Sequence, residues 1–207
     1  MQTIRHKTEA LLSVKNSRFE SILYPVSSRE DAEKLIETIK CSRPKANHHC
    51  YAMRLNPLDP FEFAQDDGEP SGTAGQPILQ RLQSAALFEV MLFVVRTFGG
   101  VKLGRSGPIR AYGDAAQAAL ETIKPVALMR YKHFIILYPY SEESLIQSIL
   151  HTFPVVIRES QYREDVRLEV LCPVTYAGAF SSKVQSARHL IFRFDEGRDC
   201  IAPAISN

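Results

Sequence analysis

Three carboxylates, Asp66, Asp67 and Glu69, crowd one stretch of the chain that reads Ala-Gln-Asp-Asp-Gly-Glu-Pro-Ser-Gly-Thr-Ala-Gly (64–75). Hard oxygen ligands grouped in this way suit Mg²⁺ or Ca²⁺, and the preceding His48, His49 and Cys50 could bring nitrogen or sulfur to zinc. The alternating acids of a twelve-residue calcium loop are missing, however, and strand geometry sends His48 and His49 to opposite faces. The competing reading is structural: the acids accept backbone N–H groups within the turn, and one histidine is packed or hydrogen-bonded. Ser71, Thr73 and Ser106 are loop hydroxyls, but Gly-Arg-Ser-Gly-Pro around Ser106 lacks the spacing of a nucleophile elbow. No catalytic residue is assigned and no cofactor is expected. Asp66, Asp67, Glu69, Ser71, Thr73, His48 and His49 stand as loop-structuring or metal-ligating candidates, with the metal itself unknown.

A second glycine-rich run has the opposite charge. From Val90 to Gly113 the bases are Arg96, Lys102, Arg105 and Arg110, with no acid. Glycine-rich turns leading into a helix N-terminus attract anions through backbone N–H groups. Arg96, Gly99, Gly100, Lys102, Arg105 and Arg110 are therefore candidates for binding phosphate. Neither the P-loop nor the dinucleotide fingerprint is present. The alternative is an internal network in which Arg96 and Arg110 pair with Asp66, Asp67 or Glu69. The two readings are compatible if acids orient arginines while the remaining cations face a phosphate backbone.

Length and composition frame these turns. A chain of 207 residues, 45% hydrophobic and 23% charged, suits one large or two small globular domains. The net charge of +2 is too mild to establish nucleic-acid binding by itself. Four cysteines, Cys41, Cys50, Cys172 and Cys200, form no Cys-x-x-Cys pair and read as free thiols of a reducing cytosol. The start lacks an apolar signal region, and no uninterrupted apolar run reaches the ~18 residues of a membrane helix. The expected location is cytoplasmic.

The elements that must hold the two turns follow from periodicity. Residues 10–16 and 18–26 predict an antiparallel pair turning at Asn16-Ser17. A helix capped by Ser27 or Ser28 runs to about Ile39, and 47–55 alternates as a strand. Pro77–Ala85 predicts a short helix. Val90–Phe98, apolar and β-rich, predicts a central strand. Pro108–Ile123 predicts a helix packing through Ile109, Tyr112, Ala116, Ala119 and Leu120. The pattern then resets. Strand 131–138, helix 141–152, strands 154–161 and 166–174, helix 175–190 and strand 191–195 give the β-α-β-β-α-β order of a ferredoxin-like domain.

Several runs resemble one family: Lys15-Asn-Ser-Arg-Phe19, His48-His-Cys-Tyr-Ala52, Asp66 to Gly75 followed by Pro77-Ile-Leu, and Val95-Arg-Thr-Phe-Gly-Gly-Val-Lys-Leu-Gly104 followed by Arg110-Ala-Tyr-Gly-Asp114. In order and spacing they are similar to the IMPACT/YigZ family. The resemblance implies an α+β protein. Its N-terminal domain (1–128) would be ribosomal-protein-S5-domain-2-like, and its C-terminal domain (129–207) ferredoxin-like, similar to domain V of elongation factor G. Two departures stand out: Thr97 occupies a position that is aromatic in the family, and Gly107-Pro108-Ile109 replaces a Gly-Gly-Leu-like run, removing one amide donor. Eukaryotic relatives regulate translation initiation under amino-acid starvation by competing for a co-activator of the kinase that phosphorylates the initiation factor; they carry an additional N-terminal interaction domain that is not expected here, so that partner is not carried over.

The expectation is a non-catalytic regulator of translation that associates with RNA or the ribosome through phosphate contacts, with catalysis left undecided. The alternatives are a metal-assisted hydrolase or transferase acting on a phosphorylated small molecule, and a protein-interaction module in translational stress control. No membrane partner is expected.

Overall fold

The structure, a computed structural model, describes residues 1–101, 103–104, 106–187, 189 and 191–204. It divides into two compact units, Met1–Ala127 and Leu128–Asn207.

In the first unit a short β1 (Gln2–Thr3) precedes the hairpin of β2 (Thr8–Val14) and β3 (Ser17–Pro25). Its turn is Lys15-Asn16, one residue earlier than predicted, and both residues take positive φ (45° and 65°). Two-residue turns of that hand match the twist of paired strands, and asparagine tolerates them well. Helix α1 (Arg29–Ser42) begins at Ser28, whose Oγ accepts the Asp31 N–H. Strand β4 (His48–Leu55) is followed by β5 (Phe61–Gln65), an edge strand that periodicity did not predict. Then come α2 (Gly75–Ser84), β6 (Val90–Thr97) and α3 (Gly107–Leu120).

The five strands β2–β6 form one antiparallel sheet in the order β2-β3-β6-β4-β5, so β6 is central. Both faces are covered, which explains its nearly unbroken apolar run. Val90, Leu92 and Val94 face α2 and α3, packing with Ile78, Leu82, Ala111, Tyr112, Ala115 and Ala119. Met91, Phe93 and Val95 face α1, packing with Ala32 and Ile39. Of the predicted stripe of α3, Tyr112, Ala116, Ala119 and Leu120 are buried, and only Ile109 is not. Pro108, Ala111, Tyr112, Ala115, Ala116 and Ala119 are buried, while Ile109 is 47% exposed because Pro108 occupies the inward position one turn before Tyr112.

The second unit follows the order β-α-β-β-α-β. It comprises β7 (Val126–Tyr138, whose first two residues belong to the first unit and pair there with β1), a turn of 3₁₀ helix (Tyr140–Glu142), α4 (Glu143–Thr152), β8 (Val156–Tyr162), β9 (Val166–Pro173), α5 (Val174–Ser186) and β10 (Arg193–Pro203). The strand order is β10-β7-β9-β8, antiparallel throughout. Strand β10 is longer than expected. Phe134, Ile136, Tyr138, Leu168, Val170 and Cys172 meet Ile146, Ile149, Phe180 and Val184 of the two helices. The other face carries Ile135 opposite Glu169 and Leu137 opposite Arg167. There Glu169 accepts Arg167 (2.6 Å) and contacts His133 Nε2 (3.1 Å). The Arg167 hydrogen bond outweighs burial and holds the Glu169 carboxyl below its ordinary pKa.

Candidate functional site

One row of the first sheet organises the site. Arg96, at the end of β6, lies directly opposite Phe19 of β3 and His48 of β4. All three face α2 and α3, and the acidic turn 66–74, between β5 and α2, folds over them.

Each acid of that turn has a protein partner. Asp66 Oδ1 accepts the N–H groups of Ala74 and Gly75 (both 2.9 Å), and Oδ2 accepts that of Gly72 (2.8 Å). The carboxylate therefore caps the start of α2. Burial alone would raise its pKa, but the three backbone N–H groups hold it below the usual range. Asp67 sits at φ 42°, with Gly68 at φ 90° completing the reversal. It accepts the His49 N–H (2.7 Å) and Lys40 Nζ (3.0 Å). Burial again opposes these bonds and again loses, so its pKa is lowered too.

Glu69 is the innermost acid. Its Oε1 accepts Arg96 Nη1 and the Tyr112 hydroxyl (3.0 Å), and lies 3.8 Å from His48 Nε2. The Arg96 and Glu69 side chains are only 7% and 5% exposed. Arg96 also stands 5.5 Å above the Phe19 ring and 5.7 Å from that of Phe98, and its buried Nε has no hydrogen-bond partner among the described residues. Tyr112 meets Phe19 edge-on at 5.2 Å. Burial pushes the pKa of the Tyr112 hydroxyl far up, with Cys50 and Glu69 adding to the effect. Cys50, whose thiol donates to Asp66 O (2.9 Å), is pushed up to about 12, mainly by burial. A thiol in that state is a packing group, not a nucleophile.

The histidines diverge as strand geometry requires. His48 Nδ1 donates to Asp67 O (2.9 Å) on the Glu69 side, and His49 Nε2 donates to Arg43 O (3.1 Å) on the α1 side. Among the described residues, no three His, Cys, Asp or Glu side chains converge in a way that could hold a metal ion. Thr73 Oγ1 donates to Pro70 O (2.6 Å), a bond within the turn, and Ser71 is exposed.

The two glycine-rich turns meet. Glu69 and Pro70 from one, Phe98, Leu103 and Gly104 from the other, and Pro108 of α3 line a shared cleft of about 460 Å³, with His48 and Arg96 in its wall. The start of the basic turn is fixed by partners that charge and motif did not point to. Asn47 Oδ1 accepts the Phe98 N–H (2.8 Å), and Ser17 Oγ accepts the Gly99 N–H (3.2 Å). A Cβ at Gly99 would stand 2.0 Å from Asn16 O, so only glycine fits against the β2–β3 turn.

The phosphate-binding candidates therefore separate. The guanidinium of Arg96 is buried against Glu69, and the Gly99 amide is taken up by Ser17. Gly100, at φ 86°, and Arg110 are exposed, Arg110 on α3 outside the cleft's lining. The Arg110 side chain is 87% exposed, 3.5 Å from Asp114, and pairs with none of Asp66, Asp67 or Glu69. Lys102 and Arg105 lie outside the described residues. Phe98, 44% exposed, adds an aromatic wall that the sequence reading did not single out.

The fold is an α+β arrangement of two sheets, and comparisons with known proteins supply its relatives. A family model described as the Impact N-terminal domain matches residues 15–120, and one described as a domain of unknown function (DUF1949) matches residues 136–187. The chain is 35% identical over 173 residues to an IMPACT family member of Haemophilus influenzae, covering 83% of this chain and 84% of that one. It is 35% identical over 181 residues to the IMPACT family member YvyE of Bacillus subtilis, covering 86% and 82%. It is 31% identical over 173 residues to YigZ of Escherichia coli, covering 83% and 85%. A crystal structure described as that of a hypothetical protein aligns with TM-score 0.68 and 28% identity over 99% of this chain and 97% of its own. The chain belongs to the IMPACT family. No described helix is long and apolar enough to cross a membrane.

Proposed function

We propose that this protein is a non-catalytic, cytoplasmic regulator of translation that associates with RNA or the ribosome through the cleft between its two glycine-rich turns. One observation carries the reading. The cleft's carboxylate, Glu69, is bonded by Arg96 and Tyr112, and the neighbouring Asp66 and Asp67 are each bonded by other donors. The acidic turn thus contributes structure, and the charge left for a ligand is that of Arg110 and, by sequence, of Lys102 and Arg105. Beside it, Phe98 offers a face on which a base can stack. Phosphate contacts of this kind give affinity with little base selectivity.

The translational setting is the one the family resemblance implies. In the same reading the first unit is a ribosomal-protein-S5-domain-2-like domain (1–128). The second (129–207) is ferredoxin-like, comparable to domain V of elongation factor G, a plan with which its strand order agrees. Its open sheet face, with Arg167 and His133, would be a second surface or would position the first domain.

The test is sedimentation with ribosomes at low and high salt, alongside fluorescence anisotropy of labelled single-stranded RNA. The variant Lys102→Ala/Arg105→Ala should weaken binding and lower the salt slope by about 0.7 per lost phosphate contact. Binding and slope both unchanged in that variant would remove the reading.

A further inference from the structure

A second cleft opens beside the same end of β6, on the other face of the sheet. Its volume is about 290 Å³, and Arg18, Glu20, Ser42, Arg43, Lys45 and Thr97 are in its lining. The alternation of β6 separates the two clefts. Arg96 and Phe98 line the first, and Val95 and Thr97 the second.

This second cleft is cationic after its own accounting. Its carboxylate, Glu20, is already held by the fork of Arg43, through Nε (2.9 Å) and Nη2. Arg43 Nη1 also donates to Ser42 Oγ (2.9 Å). Arg18 and Lys45 are exposed, and among the described residues neither is ion-paired. Both are mounted on ordered backbone. Arg18 sits in the sheet between Ser13 of β2 and Thr97 of β6, and Lys45 sits in the turn closed by the Ala46 N–H on Arg43 O (3.1 Å). The run Lys15-Asn-Ser-Arg-Phe19 now divides by role. Ser17 and Phe19 point inward to brace Gly99 and Arg96, while Arg18 looks into the second cleft.

We propose that this cleft binds a phosphodiester group, and that one RNA strand crosses the β6 end of the sheet to occupy both clefts. The polymer's identity rests on the reading given under Proposed function, whereas the anion preference rests on Arg18, Lys45 and the neutralised Glu20 alone. The Ser42 hydroxyl is already committed, donating to Ile39 O (3.0 Å) and accepting Arg43 Nη1, so two unpaired cations beside the Thr97 hydroxyl are what suit a singly charged tetrahedral group that also accepts hydrogen bonds. The crossing is short. Packed sheet layers lie about 10 Å apart, and a strand with one phosphate every ~3.4 Å covers a distance of that order in about three nucleotides.

The test uses the full chain. Wild type, Arg18→Gln/Lys45→Gln and Lys102→Ala/Arg105→Ala are titrated with a fluorescein-labelled uridine 12-mer between 50 and 300 mM KCl. Arg18→Gln/Lys45→Gln should lose about 10–25-fold in affinity at 0.1 M salt and lower the slope by about 1.4, two contacts at about 0.7 each. Its melting temperature should not change, since both side chains are exposed. In a separate arm, inorganic phosphate is titrated into ¹⁵N-labelled protein. It should shift the amides of Ser42, Lys45 and Thr97 in wild type and not in Arg18→Gln/Lys45→Gln. An RNA slope lost only in Lys102→Ala/Arg105→Ala, with no phosphate shifts at those amides, overturns the second site and leaves the first reading standing. Phosphate shifts without RNA binding by wild type keep the anion site and overturn the RNA reading. A glutamate 12-mer that binds as tightly as RNA, and loses affinity in Arg18→Gln/Lys45→Gln, overturns the proposal in favour of an acidic protein segment.

Discussion

The acidic turn between β5 and α2 and the basic turn between β6 and α3 form one cleft, yet they treat their charges in opposite ways. Asp66 caps three backbone N–H groups, Asp67 joins β4 to α1 through the His49 N–H and Lys40, and Glu69 neutralises Arg96. On the other side, Arg110 stands in solvent with one loose contact to its own helix. Arg96 is the exception that explains the rest: it is the base drawn inside, and it draws Glu69 with it. Charges that look symmetrical along the chain therefore divide into a scaffold and a surface, and only counting partners separates them.

The comparison breaks most visibly at Glu69. Glu69→Ala leaves the Arg96 guanidinium buried without its carboxylate and takes an acceptor from Tyr112. Removing one partner of a buried pair costs about 3–5 kcal/mol, so urea unfolding should show a loss of that order. A variant as stable as wild type would mean that Glu69 belongs to the surface group after all.

Asp66→Asn comes next. The neutral amide presents an N–H₂ toward donors that need an acceptor, and a hydrogen bond to a charged group contributes about 1.5–3 kcal/mol. The pH dependence has a definite sign. Both Asp66 and Asp67 have pKa values lowered by folding, so the stability they supply is complete above the ordinary aspartate value of about 3.9 and is lost as pH falls through the lower folded value. Wild type should therefore lose stability from about pH 4 downward. Asp66→Asn should start lower at pH 7 and fall less steeply in that acid range. Parallel curves for the two proteins would show that the cap acts without its charge.

Gly99→Ala tests how far the scaffold extends into the basic turn. The added methyl would lie 2.0 Å from Asn16 O and 2.5 Å from Ser17 N, both backbone atoms that cannot rotate away. Overpacking of this kind costs about 1–3 kcal/mol. The variant should lose stability and RNA affinity together, the one outcome expected to fall on both sides of the comparison. Unchanged melting would show that the turn moves freely off the β2–β3 hairpin.

How much of this could be read from the chain depended on whether the signal was local. The run Val-Met-Leu-Phe-Val-Val announces a central strand because both faces of β6 are buried, and Ser28 with Asp31 announces the start of α1. Strand β5 escaped because an edge strand of five residues keeps Phe61 and Phe63 partly exposed, so its alternation is weak beside the glycines that follow. Ile109 reads as inward because it is apolar at helical spacing from Tyr112, but Pro108 holds that position. The site was legible as two opposed turns. Its internal pairing was not, because Arg96 had three acids to choose from, and the choice of Glu69 was made by the row Phe19–Arg96–His48 and by Tyr112, 43 residues beyond Glu69.

The smallest change in stability should come from Arg110→Ala, and for that reason it sharpens the comparison most. The side chain is 87% exposed, and its contact to Asp114 is an i,i+4 pair on a helix surface. Such pairs contribute about 0.3–0.5 kcal/mol, so thermal and urea unfolding should barely move. If the open side of the cleft holds phosphate, the same substitution should lower the RNA salt slope by about 0.7 while leaving the melting curve in place. Loss of binding without loss of stability is the signature that no carboxylate of the acidic turn can give, because each of them is bonded to the fold. A flat result in both measurements would place Arg110 outside the interface and confine the contact to the residues between Gly100 and Gly107.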